Sequence, residues 1–156
     1  MQNANSILIN KKILIIDDDQ FSVLLTKLKL RNYCDPLNIT ALNSTCDAIA
    51  YLEETEKNKP AMMPDLILLE TSIEEGKGWD FITYFQMWGE GTHHRIKLVI
   101  LTSSQFFSDF RRSTSFMCVF GFLTKPLQTD LLLKMLESPA ETTVVNSIAL
   151  VNSIID

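Results

Sequence analysis

Hydrophobic positions along this chain follow two rhythms that take turns. Largely apolar runs of strand length stand at Lys12–Ile16, 65–69 ("DLILL"), 96–101 ("IKLVIL") and 119–124 ("VFGFLT"), while 37–42 ("LNITAL") alternates like a strand. Short runs of this kind, rich in β-branched residues, read as strands, the unbroken ones buried on both faces. Between them the period lengthens. Phe21, Leu24, Leu25 and Leu28 recur at helical spacing within 21–30. Residues 43–57 offer Ser44 as a helix cap with Asp47 three positions on, and "NKPAMMP" at 58–64 ends that helix. "EEGKG" at 74–78 is a turn, 79–88 a third helix, "GEGTHHR" at 89–95 a loop, 103–116 a fourth helix, and Pro126 precedes a last helix at 128–137.

Strands and helices therefore alternate five times. The pattern predicts an α/β fold with a five-stranded parallel sheet, doubly wound with helices on both faces. In such sheets ligands gather at the carboxyl ends of the strands. Those ends carry Asp17-Asp18-Asp19, Glu70, Thr102-Ser103 and Lys125-Pro126. Acids, a hydroxyl and a lysine that converge form a set for handling phosphoryl groups. Carboxylates hold Mg²⁺, the hydroxyl bonds a phosphoryl oxygen, the lysine neutralises another, and a carboxylate nucleophile accepts the group.

Composition narrows the function classes. The chain has 156 residues, 46% hydrophobic and 21% charged, which suits one globular domain. A net charge of -5 and a pI near 5.0 argue against general binding to nucleic acid or anionic membranes. Arg111-Arg112 reads as a solvated helix face. Cys34, Cys46 and Cys118 are odd in number and lack CxxC spacing, as expected of reduced cytoplasmic thiols. "MQNANSILINKK" is a poor signal peptide, and no apolar run reaches the length of a membrane span.

The motifs, in order, resemble the receiver domains of two-component response regulators from about Lys12 to about Leu136. "ILIIDD" resembles the strand that ends in the family's acidic pair, at Asp17 and Asp18; "PDLILLE" resembles the strand of the phospho-acceptor, at Glu70. "VILTS" places the family's hydroxyl at Thr102, and "GFLTKP" its lysine at Lys125, followed by Pro126 at the cis-proline turn and preceded by Phe122 at the aromatic switch position. The resemblance implies a flavodoxin-like (βα)5 fold with strand order 2-1-3-4-5. It also implies Mg²⁺ held by Asp17, Asp18, Glu70 and the Ser72 backbone carbonyl. The expected partners are a histidine kinase or phosphotransfer protein and a downstream signalling protein. The receiver is expected to span 1–138, with a core at 12–137 and an extension at 139–156.

One departure matters most. The family's acceptor is aspartate, and here the position holds Glu70; the family's usual continuation is replaced by "TSIEEGKG". Glutamate carries its carboxylate about 1.5 Å further out. A displacement near 1 Å costs in-line transfer on the order of 100-fold. The expectation is a degenerate receiver that signals by docking, with Glu70 a poor acceptor that still reaches a metal ion. The extra length also brings its charge toward Thr102 and Lys125, in weak imitation of a phosphorylated state. A working phospho-accepting receiver is the alternative. A third reading takes Asp17 and Asp19 as the nucleophile and acid of a haloacid-dehalogenase-like phosphatase, but the acidic pair such enzymes need beyond the lysine is missing from "PLQTDLLLKML".

Other features are expected to be structural. Adjacent His93 and His94 are too close in sequence to share a metal comfortably and are read as exposed. Trp79 and Trp88 flank the third helix as packing residues. Phe106, Phe107 and Phe110 cannot all face the core, which leaves a surplus for a partner surface. Val144, Ile148, Val151 and Ile155 fall at helical four-three-four spacing in the tail, with an added strand as the alternative for so many β-branched residues; either form folds back on the domain or, like the fourth helix, makes a homodimer contact.

Overall fold

The computed structural model describes residues 7–88, 95–104 and 106–137. Strands β1 (Ile13–Ile16), β2 (Ile39–Leu42), β3 (Leu66–Leu69), β4 (Lys97–Thr102) and β5 (Val119–Thr124) form one sheet in the order β2-β1-β3-β4-β5. Every pairing is parallel. This is the expected flavodoxin-like topology. Helices α1 (Gln20–Leu30), α2 (Thr45–Asn58), α3 (Gly78–Met87), α4 (Phe107–Ser113) and α5 (Thr129–Glu137) connect and flank the strands. His93, His94 and the stretch from residue 138 onward, including the tail stripe, lie outside the described residues.

The alternation of strand side chains divides the core in two. Leu14, Ile16, Ile67, Leu69, Leu98 and Ile100 face α2, α3 and α4, meeting Leu52, Phe81, Phe85 and Phe110. Ile13, Ile15, Leu66, Leu68, Val99 and Leu101 face the other way and meet Leu30 of α1 and Leu132, Leu133 and Met135 of α5. Trp79 is buried in the first of these clusters and stacks on Phe116, while the Arg112 guanidinium lies 4.4 Å from its ring centroid. Both tryptophans pack as expected, Trp88 against Tyr84 and Phe85. The fourth helix is shorter than its sequence suggests, and its phenylalanines divide: Phe110 is buried, Phe106 and Phe107 are exposed.

Helix α1 departs from the reading of its stripe. Phe21, Leu24 and Leu28 face solvent, at 74%, 55% and 46% exposure, and the buried positions are Thr26 and Leu30. The cause lies at the first turn. Asp19 caps the helix by accepting from the amides of Phe21 and Ser22, and the Ser22 hydroxyl donates to Asp17 at 2.9 Å. That bond sets the rotation of the helix, so Thr26 and Leu30, four and eight residues on, turn inward with Ser22.

Candidate functional site

Each strand end delivers one part of a polar cluster. β1 ends on Asp17, buried at 5%, whose Oδ1 accepts from the Asp19 amide at 2.9 Å. β3 ends on Glu70, exposed by only 3%. β4 ends on Thr102, fully buried, and β5 leads into Lys125 and the cis peptide before Pro126. The Lys125 amide donates to the Thr102 carbonyl at 2.8 Å, which extends the ladder and holds the lysine over its neighbours.

Glu70 is the centre of this cluster. Its Oε1 accepts from the Thr102 hydroxyl at 2.5 Å and the Ser72 amide at 3.0 Å. Its Oε2 accepts from the Ser103 amide at 3.1 Å and lies 2.9 Å from the Lys125 ammonium. A carboxylate has about four lone-pair directions, and all of them are taken. The same ammonium bonds Asp17 Oδ2 at 2.7 Å, an oxygen that also receives Ser22. Behind Thr102 stands Thr71, buried, with its hydroxyl 3.4 Å from the Thr102 oxygen, and the Ser104 amide donates to that oxygen at 3.1 Å.

These contacts determine the charge state. Burial pushes the Glu70 carboxyl up, but the bonds from Thr102, the Ser72 amide and Lys125 outweigh it and hold the carboxyl below its ordinary value of 4.5. Burial pushes Lys125 down, and Asp17 and Glu70 outweigh that effect, so its ammonium is held above 10.5. Stability tied to Glu70 is complete above its unfolded value and is lost as pH falls through the lower folded one. Stability tied to Lys125 is complete below 10.5 and is lost as pH rises through the raised folded value. Glu70→Gln is therefore expected to flatten the acid limb of a pH–stability curve below about pH 4.5 and to leave the neutral region's slope unchanged. Urea titrations across pH would read this directly.

The turn after β3 contains residues the sequence did not single out. Glu74, Glu75 and Gly76 have φ of 48°, 62° and 102°, three successive left-handed positions. The turn thereby swings Glu74 across to α2, where Oε2 accepts from the Thr45 amide at 2.9 Å and its hydroxyl at 2.8 Å. The Glu74 amide in turn donates to Asp18 Oδ2 at 3.1 Å. Glu has no special preference for this backbone, so the pattern carried no signal of it. Gly78 follows for a steric reason: a Cβ there would stand 2.5 Å from the Thr71 Cα and 2.7 Å from the Glu70 carbonyl oxygen. Gly78→Ala is expected to displace this turn and cost about 1–3 kcal/mol, read as a lower urea midpoint with unchanged slope.

The other expected site residues fall as follows. Phe122 is buried and meets Phe110 edge-on at 5.6 Å. Asp18 is exposed at the rim, and Ser72 contributes its amide. Asp19 is the cap of α1, its Oδ1 accepting from the amides of Phe21 and Ser22. Asp65 is not part of this set: it precedes β3 at the end remote from Glu70, where it accepts from the Lys12 amide. Cys34 and Cys118 are buried and Cys46 is exposed, and burial pushes the Cys118 thiol up to about 11.

The expected metal set does not fit a cation as it stands. Mg²⁺ requires six oxygen ligands at close to octahedral geometry. Glu70 turns both oxygens away to other donors, and the positive charge between it and Asp17 is the Lys125 ammonium. Among the described residues no group of three His, Cys, Asp or Glu side chains is placed to hold a metal ion. In this arrangement the longer arm of Glu70 carries its carboxylate to Thr102, Lys125 and the two amides.

Solved structures of known proteins share this architecture. A two-component response regulator from Cytophaga hutchinsonii matches with a TM-score of 0.70 and 21% identity over 86% of this chain and 96% of that one. The fold is that of a receiver domain. A response regulator receiver protein from Dyadobacter fermentans matches at 27% identity and a TM-score of 0.66, over 81% of this chain and 94% of its own. The Mn²⁺-bound form of the response regulator Rcp1 matches at 24% identity and a TM-score of 0.61, over 81% and 89%. No protein-family model matches the chain, and no curated protein matches it significantly. Among the described residues no helix is long and apolar enough to cross a membrane.

Proposed function

We propose that the chain is a phosphorelay receiver that signals by docking, with Glu70 in the place of the phospho-accepting aspartate. One observation carries this reading: the Glu70 carboxylate engages Thr102, Lys125 and the amides of Ser72 and Ser103 together. These are donors that a phosphoryl group on a shorter acid would require, since it brings three acceptor oxygens and negative charge. Glu70 fills their positions with its own oxygens, in one fixed charge state. The resemblance implies that hydroxyl engagement goes with an inward aromatic residue, and the buried Phe122 fits that arrangement.

The same contacts disfavour Glu70 as a nucleophile. Attack on phosphorus needs a free lone pair aligned with the donor, and every such direction is occupied. The partners of this reading are a histidine kinase or phosphotransfer protein that the domain binds, and a downstream signalling protein. Mg²⁺ is not required. Titration with millimolar Mg²⁺ is expected to give no saturable heat with Glu70 in place, and saturable binding after Glu70→Asp frees the carboxylates.

Intact mass after incubation with Mg²⁺ and a small-molecule phosphodonor tests the proposal. No phosphoryl addition is expected. Stoichiometric addition to the chain with Glu70 would overturn the reading and restore the phospho-accepting alternative.

A further inference from the structure

Glu74 and Glu75, in the turn after β3, hold left-handed backbone with φ of 48° and 62°, although nothing about glutamate favours it. Strain of this kind persists where the surroundings over-determine it, and it collects at functional positions. Three contacts hold the turn. Ile73 is fully buried in the cluster that faces α2, α3 and α4. Gly78 brings the start of α3 against the Thr71 backbone. Between them the Glu74 carboxylate crosses to the first turn of α2. There one oxygen, Oε2, accepts both the Thr45 amide at 2.9 Å and the Thr45 hydroxyl at 2.8 Å. The dipole of α2 favours a carboxylate at that end.

The first two contacts fix where the turn sits. Neither is directional, so they do not aim the amides beside them. Two of those amides point into the site. The Ser72 N–H donates to Glu70 Oε1 at 3.0 Å, and the Glu74 N–H donates to Asp18 Oδ2 at 3.1 Å. The Glu74–Thr45 pair is directional, since hydrogen bonds fall off steeply with angle. It belongs to the residue whose own amide meets Asp18, two positions after the residue whose amide meets Glu70.

We propose that Glu74 is a positioning residue: anchored on Thr45, it locks the left-handed turn so that the Ser72 and Glu74 amides face Glu70 and Asp18. This deepens the docking reading and rests on it, because the Ser72 amide is one of the four donors that Glu70 occupies. The site is then built on α2 as well as on the strand ends. A helix that follows the edge strand β2 sets the aim of one donor at position 70.

Amide exchange resolved by NMR in the full chain tests this. Ser72 and Ser103 both donate to Glu70, but Ser103 follows β4 and lies outside the turn. In Glu74→Ala the Ser72 amide is expected to exchange at least about tenfold faster than in the unaltered chain, with Ser103 unchanged. Glu74→Gln is expected to restore slow exchange at Ser72. Both Thr45 donors meet one oxygen, and an amide oxygen has two lone pairs to receive them. Amides of β1 and β3 report whether the domain remains folded. Should Glu74→Ala loosen them, Thr45→Val decides: it removes the hydroxyl donor alone and is expected to give a smaller acceleration at Ser72. With β1 and β3 still slow, equal acceleration of Ser72 and Ser103 overturns the proposal. An unchanged Ser72 in both variants also overturns it, as does a Gln variant that behaves like the Ala one. None of these readings involves phosphoryl transfer. Phosphoryl addition to the chain with Glu70 would overturn the docking reading, while the exchange rates would still decide the role of Glu74.

Discussion

Glu70→Asp is expected to gain a phosphoryl group from a small-molecule donor in the presence of Mg²⁺, where the chain with Glu70 gains none. The argument is positional. Glu70 reaches its four donors because of its extra methylene, with the Thr102 hydroxyl at 2.5 Å and Lys125 at 2.9 Å. Removing that methylene withdraws the carboxylate by about 1.5 Å. The vacated space is bordered by a hydroxyl, an ammonium and the amides of Ser72 and Ser103, all aimed inward. A transferring phosphoryl group needs that environment, because positioning and electrostatic stabilisation supply most of the catalysis. The freed carboxylate oxygen attacks phosphorus, and the donor's leaving group departs with its electron pair. A recovery of about 100-fold or more in the rate of labelling is expected from the positional term alone. Intact mass against time measures it. Equal labelling of the two chains, or of neither, would show that side-chain length is not what controls acceptance.

Lys125→Met is expected to destabilise the fold by about 3 kcal/mol, because it leaves the buried charges of Glu70 and Asp17 without their cation. Glu70 is 3% exposed and Asp17 5%, so water cannot replace the ammonium cheaply. The remaining bonds to Glu70 from Thr102, Ser72 and Ser103 keep it from the upper end of that range. The double variant Lys125→Met with Glu70→Gln should regain much of the loss, since the amide needs no counter-charge. Urea unfolding of the four members of the cycle gives the coupling. A loss in Lys125→Met that the second substitution leaves unchanged would mean the lysine acts through its packing and not its charge.

Much of this architecture was legible along the chain. "LILL" ahead of Glu70 and "ILII" ahead of Asp17 have the length and unbroken apolar content of strands covered on both sides, and strand ends in such a sheet converge by topology. That is why Asp17, Glu70, Thr102 and Lys125 meet at one end of the sheet. The Ser44 cap was readable for the same local reason, and it does receive the Asp47 amide.

What periodicity could not supply was phase and aim. The spacing of Phe21, Leu24 and Leu28 identifies an apolar face but not which way it turns. The Ser22–Asp17 bond turns it outward, and that bond joins a helix to a strand end. The turn at "EEGKG" was legible, but not the left-handed backbone of Glu74 and Glu75, because nothing about glutamate favours it. The order of strands and helices and the identity of the groups at their ends follow from short-range pattern and the topology it permits. The engagement of Glu70 with Thr102 and Lys125 is a tertiary outcome. It rests on donors from separate segments meeting around one carboxylate, which no local pattern records.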